Sequence, residues 1–362
     1  MEKKQERSSN IELFRILVML AIVAHHYVVN SGLISADSPM MAAPATANAI
    51  FYWLFGMWGK TGINCFVLIT GFFMCCSDIT IKKYLKLYLQ VKFYRYVIWG
   101  IFIAVGISSF SPVSFILKLF PFSNISYSFT NAFMCFFLFI PFLNVVVRNL
   151  SKKQHLLLIA LCLATYTFCY QMPKFVLTYN YVSWFIVLYI ISSYMRFYGL
   201  YKNESCKFWG IASVGLIFAS AVSVILGMKF FHEKLPIVFV KESLGVLPLA
   251  TSICLFMFFK NIKMGYSKII NTIASTTFGV FLIHTCGNDM RQWLWYKLLD
   301  VKGHYNDSHY ALYACLCVIC VFAVCSLIDY LRGRFLEKPI FAILDKRISW
   351  YTKKLKIQNN CK

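Results

Sequence analysis

Residues 7–30 read RSSNIELFRILVMLAIVAHHYVVN. The run is apolar enough to cross a bilayer, yet it contains Glu12, Arg15, His25 and His26. An ionisable group inside a membrane segment costs from about 2.5 to more than 10 kcal/mol, so such groups are kept for a task. On a helix turning roughly 100° per residue, Arg15 and His26 project about 20° apart and Glu12 about 60° from Arg15. The segment therefore carries one polar stripe, Glu12–Arg15–His26, while His25 points elsewhere. Arg15 and His26 are separated by about 16 Å along the axis, which sets them at different depths. Snorkelling and wet interfacial histidines explain single residues of this kind. Three ionisable groups on one stripe are harder to explain that way.

Composition points in the same direction. The 362 residues are 59% hydrophobic and 14% charged, with 35 Phe and 22 Tyr, as in a polytopic membrane protein rather than a soluble domain. A net charge of +22 would suggest nucleic acid for a soluble chain. Here the cations fall between apolar segments, as the positive-inside bias requires, and no nucleic-acid partner is expected. Many of the fourteen cysteines lie inside apolar runs, where they act as small hydrophobes. Cys317-Val-Ile-Cys320 has neither His nor charge beside it, so no metal and no permanently bound cofactor are expected.

Stretches of spanning length fall at about 11–30, 53–76, 87–109, 130–147, 155–171, 181–198, 208–228, 243–259, 269–287 and 309–328. The expected fold class is all-α, a polytopic bundle of about ten transmembrane helices in one domain over 1–340, followed by a basic cytoplasmic tail at 341–362. The charges Lys82, Lys83, Lys86, Arg148, Lys152, Lys153 and Lys202 gather on the side of Lys3 and Lys4. The opposite loops carry few, among them Lys118, Lys174, Lys234 and Lys302. Both termini are therefore expected to be cytoplasmic. Glu12 and Arg15 within the first apolar run argue for an uncleaved anchor rather than a signal peptide.

Further constellations follow along the chain. Gly59, Gly62 and Gly71 in the second span allow helices to approach closely, and Asn64 can bond across a bundle. Lys60 is a rare charge there. Lys92 and Arg95 sit one turn apart within an apolar stretch, a spacing that clamps oxyanions. Pro141-Phe-Leu-Asn144 is expected to end the fourth span. Trp184 to Tyr189 lies in the sixth. His284 is placed near the outer end of the ninth, followed by Asp289 and Arg291.

In this order, these residues resemble the membrane-bound acyltransferase 3 family. Glu12-x-x-Arg15, then His26 after ten further residues, resembles its first-helix signature. Gly59 to Phe73 resembles its second-helix Gly–Phe–Ser–Gly pattern, with Thr70 in place of the Ser. Pro141 to Asn144, Trp184 to Tyr189 and Phe278 to His284 are weaker matches, and together the set spans nearly the whole chain. The resemblance implies transfer of an acyl group, acetyl by default, from acyl-CoA to a hydroxyl of an extracytoplasmic or lipid-linked glycan. It implies a multi-pass protein of a bacterial plasma membrane. The family's Arg–His pair maps onto Arg15 and His26, and its basic pair onto Lys92 and Arg95, with Lys replacing the first Arg. Some members carry an appended esterase-like domain, and this chain is expected to act without one or with a separate partner.

The residues suit that chemistry in their own right. Acyl transfer from a thioester to a sugar hydroxyl needs a base, and neutral imidazole near pH 7 serves. His26 is the candidate base, with Arg15 positioning the donor and Glu12 orienting Arg15 across i,i+3. Asn64 is a candidate donor to the oxyanion. Lys92, Arg95, His25, His284 and Arg291 are candidate contacts to acyl-CoA or to the glycan. The expected partners are acyl-CoA, a glycan or lipid-linked sugar, and membrane lipids. A glycan or lipid transporter or flippase is the alternative, but no repeated halves are visible. A polymerase with a large outer loop fits the short loops less well.

Overall fold

The computed structural model describes residues 8–120, 128–171, 179–200, 205–230 and 236–345. The basic charges at Lys3, Lys4, Lys174, Lys202 and Lys234, and the tail from Lys346 onward, lie outside them. Within the described residues the chain is helical, without strands. The helices are α1 Ser9–Val29, α2 Pro39–Ala42, α3 Ala47–Gly56, α4 Gly59–Met74, α5 Ile81–Ala104, α6 Pro112–Leu119, α7 Phe129–Asn149 and α8 Lys152–Leu163. They continue with α9 Cys169–Gln171, α10 Tyr181–Tyr198, α11 Cys206–Phe230, α12 Val246–Asn261, α13 Lys268–Ala274, α14 Thr277–His284, α15 Gly287–Gln292 and α16 Tyr310–Arg332. Four helical segments are long and apolar enough to cross a membrane: 9–29, 129–149, 206–230 and 310–345. A fifth is formed if 268–284 and 287–298, bent by 100° at the break, count as one.

Two sequence expectations change. The stretch 53–76 is not one span: α3 ends at Gly56 and α4 starts at Gly59. Pro141 does not end the fourth apolar helix, because α7 runs through it to Asn149. Short helices also lie between the apolar stretches, α2, α6 and α15 among them.

α1 is the centre of the bundle. It is apolar on every side except its stripe, and Leu17 is its one exposed position. It packs against α3, α4, α12, α13, α14 and α16. The approach of α3 and α4 depends on a glycine at every third residue. A Cβ on Gly56 would meet Val28 at 2.7 Å, one on Gly59 would meet the His25 ring at 2.2 Å, and one on Gly62 would meet Ile22 at 2.7 Å. Positions 56, 59 and 62 thus climb α1 in antiparallel order, a small-residue seam that lets backbones touch.

Polar side chains close the helix ends. A helix leaves four terminal carbonyls without partners, and hydrocarbon offers no water to satisfy them. The Asn10 amide donates to the carbonyls of Phe259, Lys260 and Ile262 at 2.9, 3.0 and 3.1 Å, capping α12. The Asn144 amide donates to Met74 and Ser77 at 3.2 and 3.0 Å, capping α4, while its oxygen accepts from the Tyr189 hydroxyl at 2.5 Å. α6 lies along α5. Its C-terminal carbonyls at Lys118 and Leu119 accept from the Lys92 ammonium and, at 3.2 Å, from the Tyr88 hydroxyl. Asp329 of α16 sits on Gly279 of α14 and accepts from Gln90 at 3.1 Å, Tyr94 at 2.7 Å and Arg332 at 2.8 Å. A second carboxylate, Glu337, pairs with Arg332 at 2.7 Å and Lys86 at 2.6 Å.

Removing the amide fan tests the capping account. Asn10→Ala strands carbonyls at the end of α12 and should cost about 1–3 kcal/mol. The loss would be read as an earlier unfolding midpoint in a detergent titration, with the outward-facing Leu17→Ala as the control that barely shifts.

Candidate active site

A cavity of about 890 Å³ opens where the C-terminal ends of α1 and α14 meet the N-terminal ends of α4, α7 and α10. His25 and His26 reach it from α1, Lys60 from α4, Arg95 from α5, Lys118 from α6, and Arg291 from α15. Its volume is in the usual range for small-ligand sites. Asn288, Asp289 and Arg291 form an exposed rim, whereas Lys60, Arg95 and Lys118 are half-buried.

The centre of the site is a histidine pair. α14 stops at His284, and the chain turns through Gly287, whose φ of +82° is the left-handed conformation that glycine accepts most readily. The stop places the fully buried His284 ring beside α1. His284 Nδ1 lies 2.6 Å from the carbonyl of Val280, which can only accept, so Nδ1 carries the proton. In the neutral ring Nε2 is then an acceptor. His26 Nδ1 is 2.9 Å from that Nε2 and must donate. The relay leaves the His26 Nε2 lone pair without a hydrogen-bond partner among the described residues. One residue of the pair lines the cavity and the other orients it, the arrangement that makes an imidazole a directed base.

His25 reaches the same cavity, contrary to the helical-wheel expectation. Its Nδ1 donates to the Gly56 carbonyl at 2.5 Å, and its ring lies against Gly59, where only hydrogen leaves room. Lys60, next in sequence, donates to the Tyr181 hydroxyl at 2.7 Å and lies 4.0 Å from Glu242, which also accepts from Tyr179 at 2.6 Å.

Other expected site residues lie elsewhere. Glu12 and Arg15 do form their i,i+3 pair, at 3.6 Å, but neither lines the cavity that holds His26. One stripe on α1 thus serves two depths. Asn64 is fully buried with both ends committed, its amide to the Ser243 carbonyl at 2.7 Å and its oxygen to the Trp184 indole at 2.9 Å. It braces α4 against α10 and does not line the cavity. Lys92 is buried outside the lining, with its ammonium on α6, whereas Arg95 lines the cavity and donates to Asn131 at 3.2 Å. Lys118, read from the sequence only as an outer-loop charge, lines the cavity as well. The signal for it was a single cation within the amphipathic octamer Pro112–Leu119.

The tautomer relay has a spectroscopic signature. In nitrogen-15 spectra of histidine-labelled protein, His26 and His284 should both appear as the Nδ1–H tautomer, and His284→Ala should release His26 into a mixture of tautomers.

No curated protein and no solved structure matches this chain. A family model does: the acyltransferase domain of the acyltransferase 3 family, over residues 8–330. With nearly all of its described helices inside that match, the chain belongs to the acyltransferase 3 family and is a membrane acyltransferase.

Proposed function

We propose that the chain moves an acyl group, acetyl by default, from acyl-CoA to a hydroxyl of a cell-envelope or exported polysaccharide or of its lipid-linked precursor. The observation that supports this most directly is the His26–His284 relay at the cavity wall. The hydroxyl of the acceptor gives its proton to His26 Nε2 as its oxygen attacks the thioester carbonyl. The tetrahedral intermediate collapses by breaking the C–S bond, and His26 returns the proton to the departing CoA sulfur. His284 holds the His26 ring in the tautomer that keeps Nε2 basic. Lys60 supplies positive charge on the α4 side of the cavity, the role that Asn64 is too committed to fill.

In this reading the chain crosses the bilayer ten times with both termini cytoplasmic, and the cavity opens on the outer face of a bacterial plasma membrane. Helices occupy each of the ten apolar stretches, and the cavity gathers helix ends that alternate in direction, which supports the arrangement. Glu12 and Arg15 then lie toward the cytoplasm, where acyl-CoA arrives, and Arg15 is the cation placed to meet the donor.

The test is release of CoA from radiolabelled acetyl-CoA by purified protein with cell-envelope glycan. His26→Ala should lower the rate by about 10²–10⁴-fold, the usual worth of a general base. His284→Ala should lower kcat by a smaller factor with KM unchanged. Wild-type turnover by the His26 variant would remove histidine from the mechanism.

A further inference from the structure

Building on the reading of a glycan acceptor, we propose that Arg95, Lys118 and Arg291 hold a phosphate group carried by that acceptor. The three cations come from α5, α6 and α15 and converge on one cavity. The carboxylate they share it with is Asp289, which accepts from the Ser108 hydroxyl. Among the described residues none of the three lies within 4.0 Å of a carboxylate. Lys60, across the cavity, differs because Glu242 is its counter-ion.

Arg95 and Lys118 are half-buried cations without a counter-ion among the described residues, and Arg291 joins them from the exposed rim, so the cluster suits an anion that arrives with the substrate. Its parts suit a phosphate. Arg95 spends one N–H on Asn131 and keeps the rest of its fork. Lys118 rests 4.2 Å above the Trp99 ring, a cation–π seat that holds the ammonium without neutralising it. Three positive charges against one carboxylate leave a surplus of about two, enough for a phosphodiester or a diphosphate linkage. The same cavity wall bears hydroxyls at Ser109, Ser114 and Thr130, and hydroxyls bond sugars. Lys92 has a positioning role: its ammonium grips the Lys118 carbonyl and so fixes the turn that presents the Lys118 side chain.

Location separates this phosphate from those of CoA. The cluster lies at the end of the bundle where α1 finishes, whereas the donor's nucleotide approaches where α1 begins. Two sources remain on the acceptor side: a phosphate that joins a sugar to its lipid carrier, and a phosphate within the glycan itself.

Isothermal titration of the full-length protein in neutral detergent, at about 0.1 M salt to limit unspecific charge effects, decides the matter with glucose 1-phosphate, glucose 6-phosphate and glucose as probes. A phosphorylated sugar should bind roughly tenfold or more tightly than glucose, the worth of a charge-assisted contact. Arg95→Gln and Lys118→Gln should each weaken it about fivefold or more, while Lys118→Arg, which keeps the charge, stays within about twofold. An unchanged unfolding midpoint certifies that each variant is folded. Preference for the 1-phosphate assigns the carrier linkage, and preference for the 6-phosphate assigns a phosphate within the chain. Equal binding of glucose and both phosphates overturns the proposal. So does loss of sugar-phosphate binding when CoA saturates the protein, since the cations would then belong to the donor. Binding is read without turnover, so a protein that binds sugar phosphate but releases no CoA would count against the acyl-transfer reading alone.

Discussion

The structure rests on a shortage of water. In hydrocarbon a helix carbonyl that finds no donor stays unsatisfied, and only another part of the protein can supply one. This chain meets the need with side chains borrowed from distant helices: Asn10 for the end of α12, Asn144 for the end of α4, Lys92 and Tyr88 for the end of α6. Each cap is also a tether. Once its amide is spent on three carbonyls, α1 cannot slide along α12 without losing all three bonds. The glycine seam at 56, 59 and 62 adds the complementary constraint by bringing α3 and α4 against α1 at backbone distance. Caps fix the positions of helix ends, and the seam fixes the spacing between helices.

The site follows from helices that stop inside the bundle. α14 ends at His284 and α4 begins at Gly59, so both terminate beside the last turns of α1 and not at a distant surface. α6 is pinned to α5 by its carbonyls, which leaves the Lys118 side chain to face inward while Val113, Ile116 and Leu119 face out. Interrupted helices thus create the cavity, and the polar groups that line it come from the interruptions themselves.

Much of this was legible in the sequence because charge in an apolar run is rare and so carries information. The stripe on α1 located Glu12, Arg15 and His26, and the Glu12–Arg15 pair forms as its spacing requires. What the stripe could not convey was partnership across the bundle. The rise along the helix, about 16 Å between Arg15 and His26, already set them at different levels, but did not say which helix each would face. Asn64 and Lys92 looked available because their type suits catalysis or anion binding. Their use as braces depends on Trp184, Ser243 and Lys118, which are remote in sequence. The break at Met57–Trp58 was invisible because both sides of it are equally apolar. The helical wheel set His25 off the stripe, yet the cavity wraps around α1 far enough to take in two successive residues.

The long reach of these contacts has a consequence for biogenesis. The Asn10 fan joins residues 249–252 positions apart, and the histidine relay joins residues 258 positions apart. A ribosome feeding this chain into a membrane delivers α1 first and its partners last. Throughout that interval Asn10 and His26 must be held by groups outside their final pairing, whether the insertion machinery, lipid headgroups or temporary neighbours. The histidine relay is therefore completed near the end of synthesis, when α14 arrives. A chain arrested before that point would lack the relay altogether.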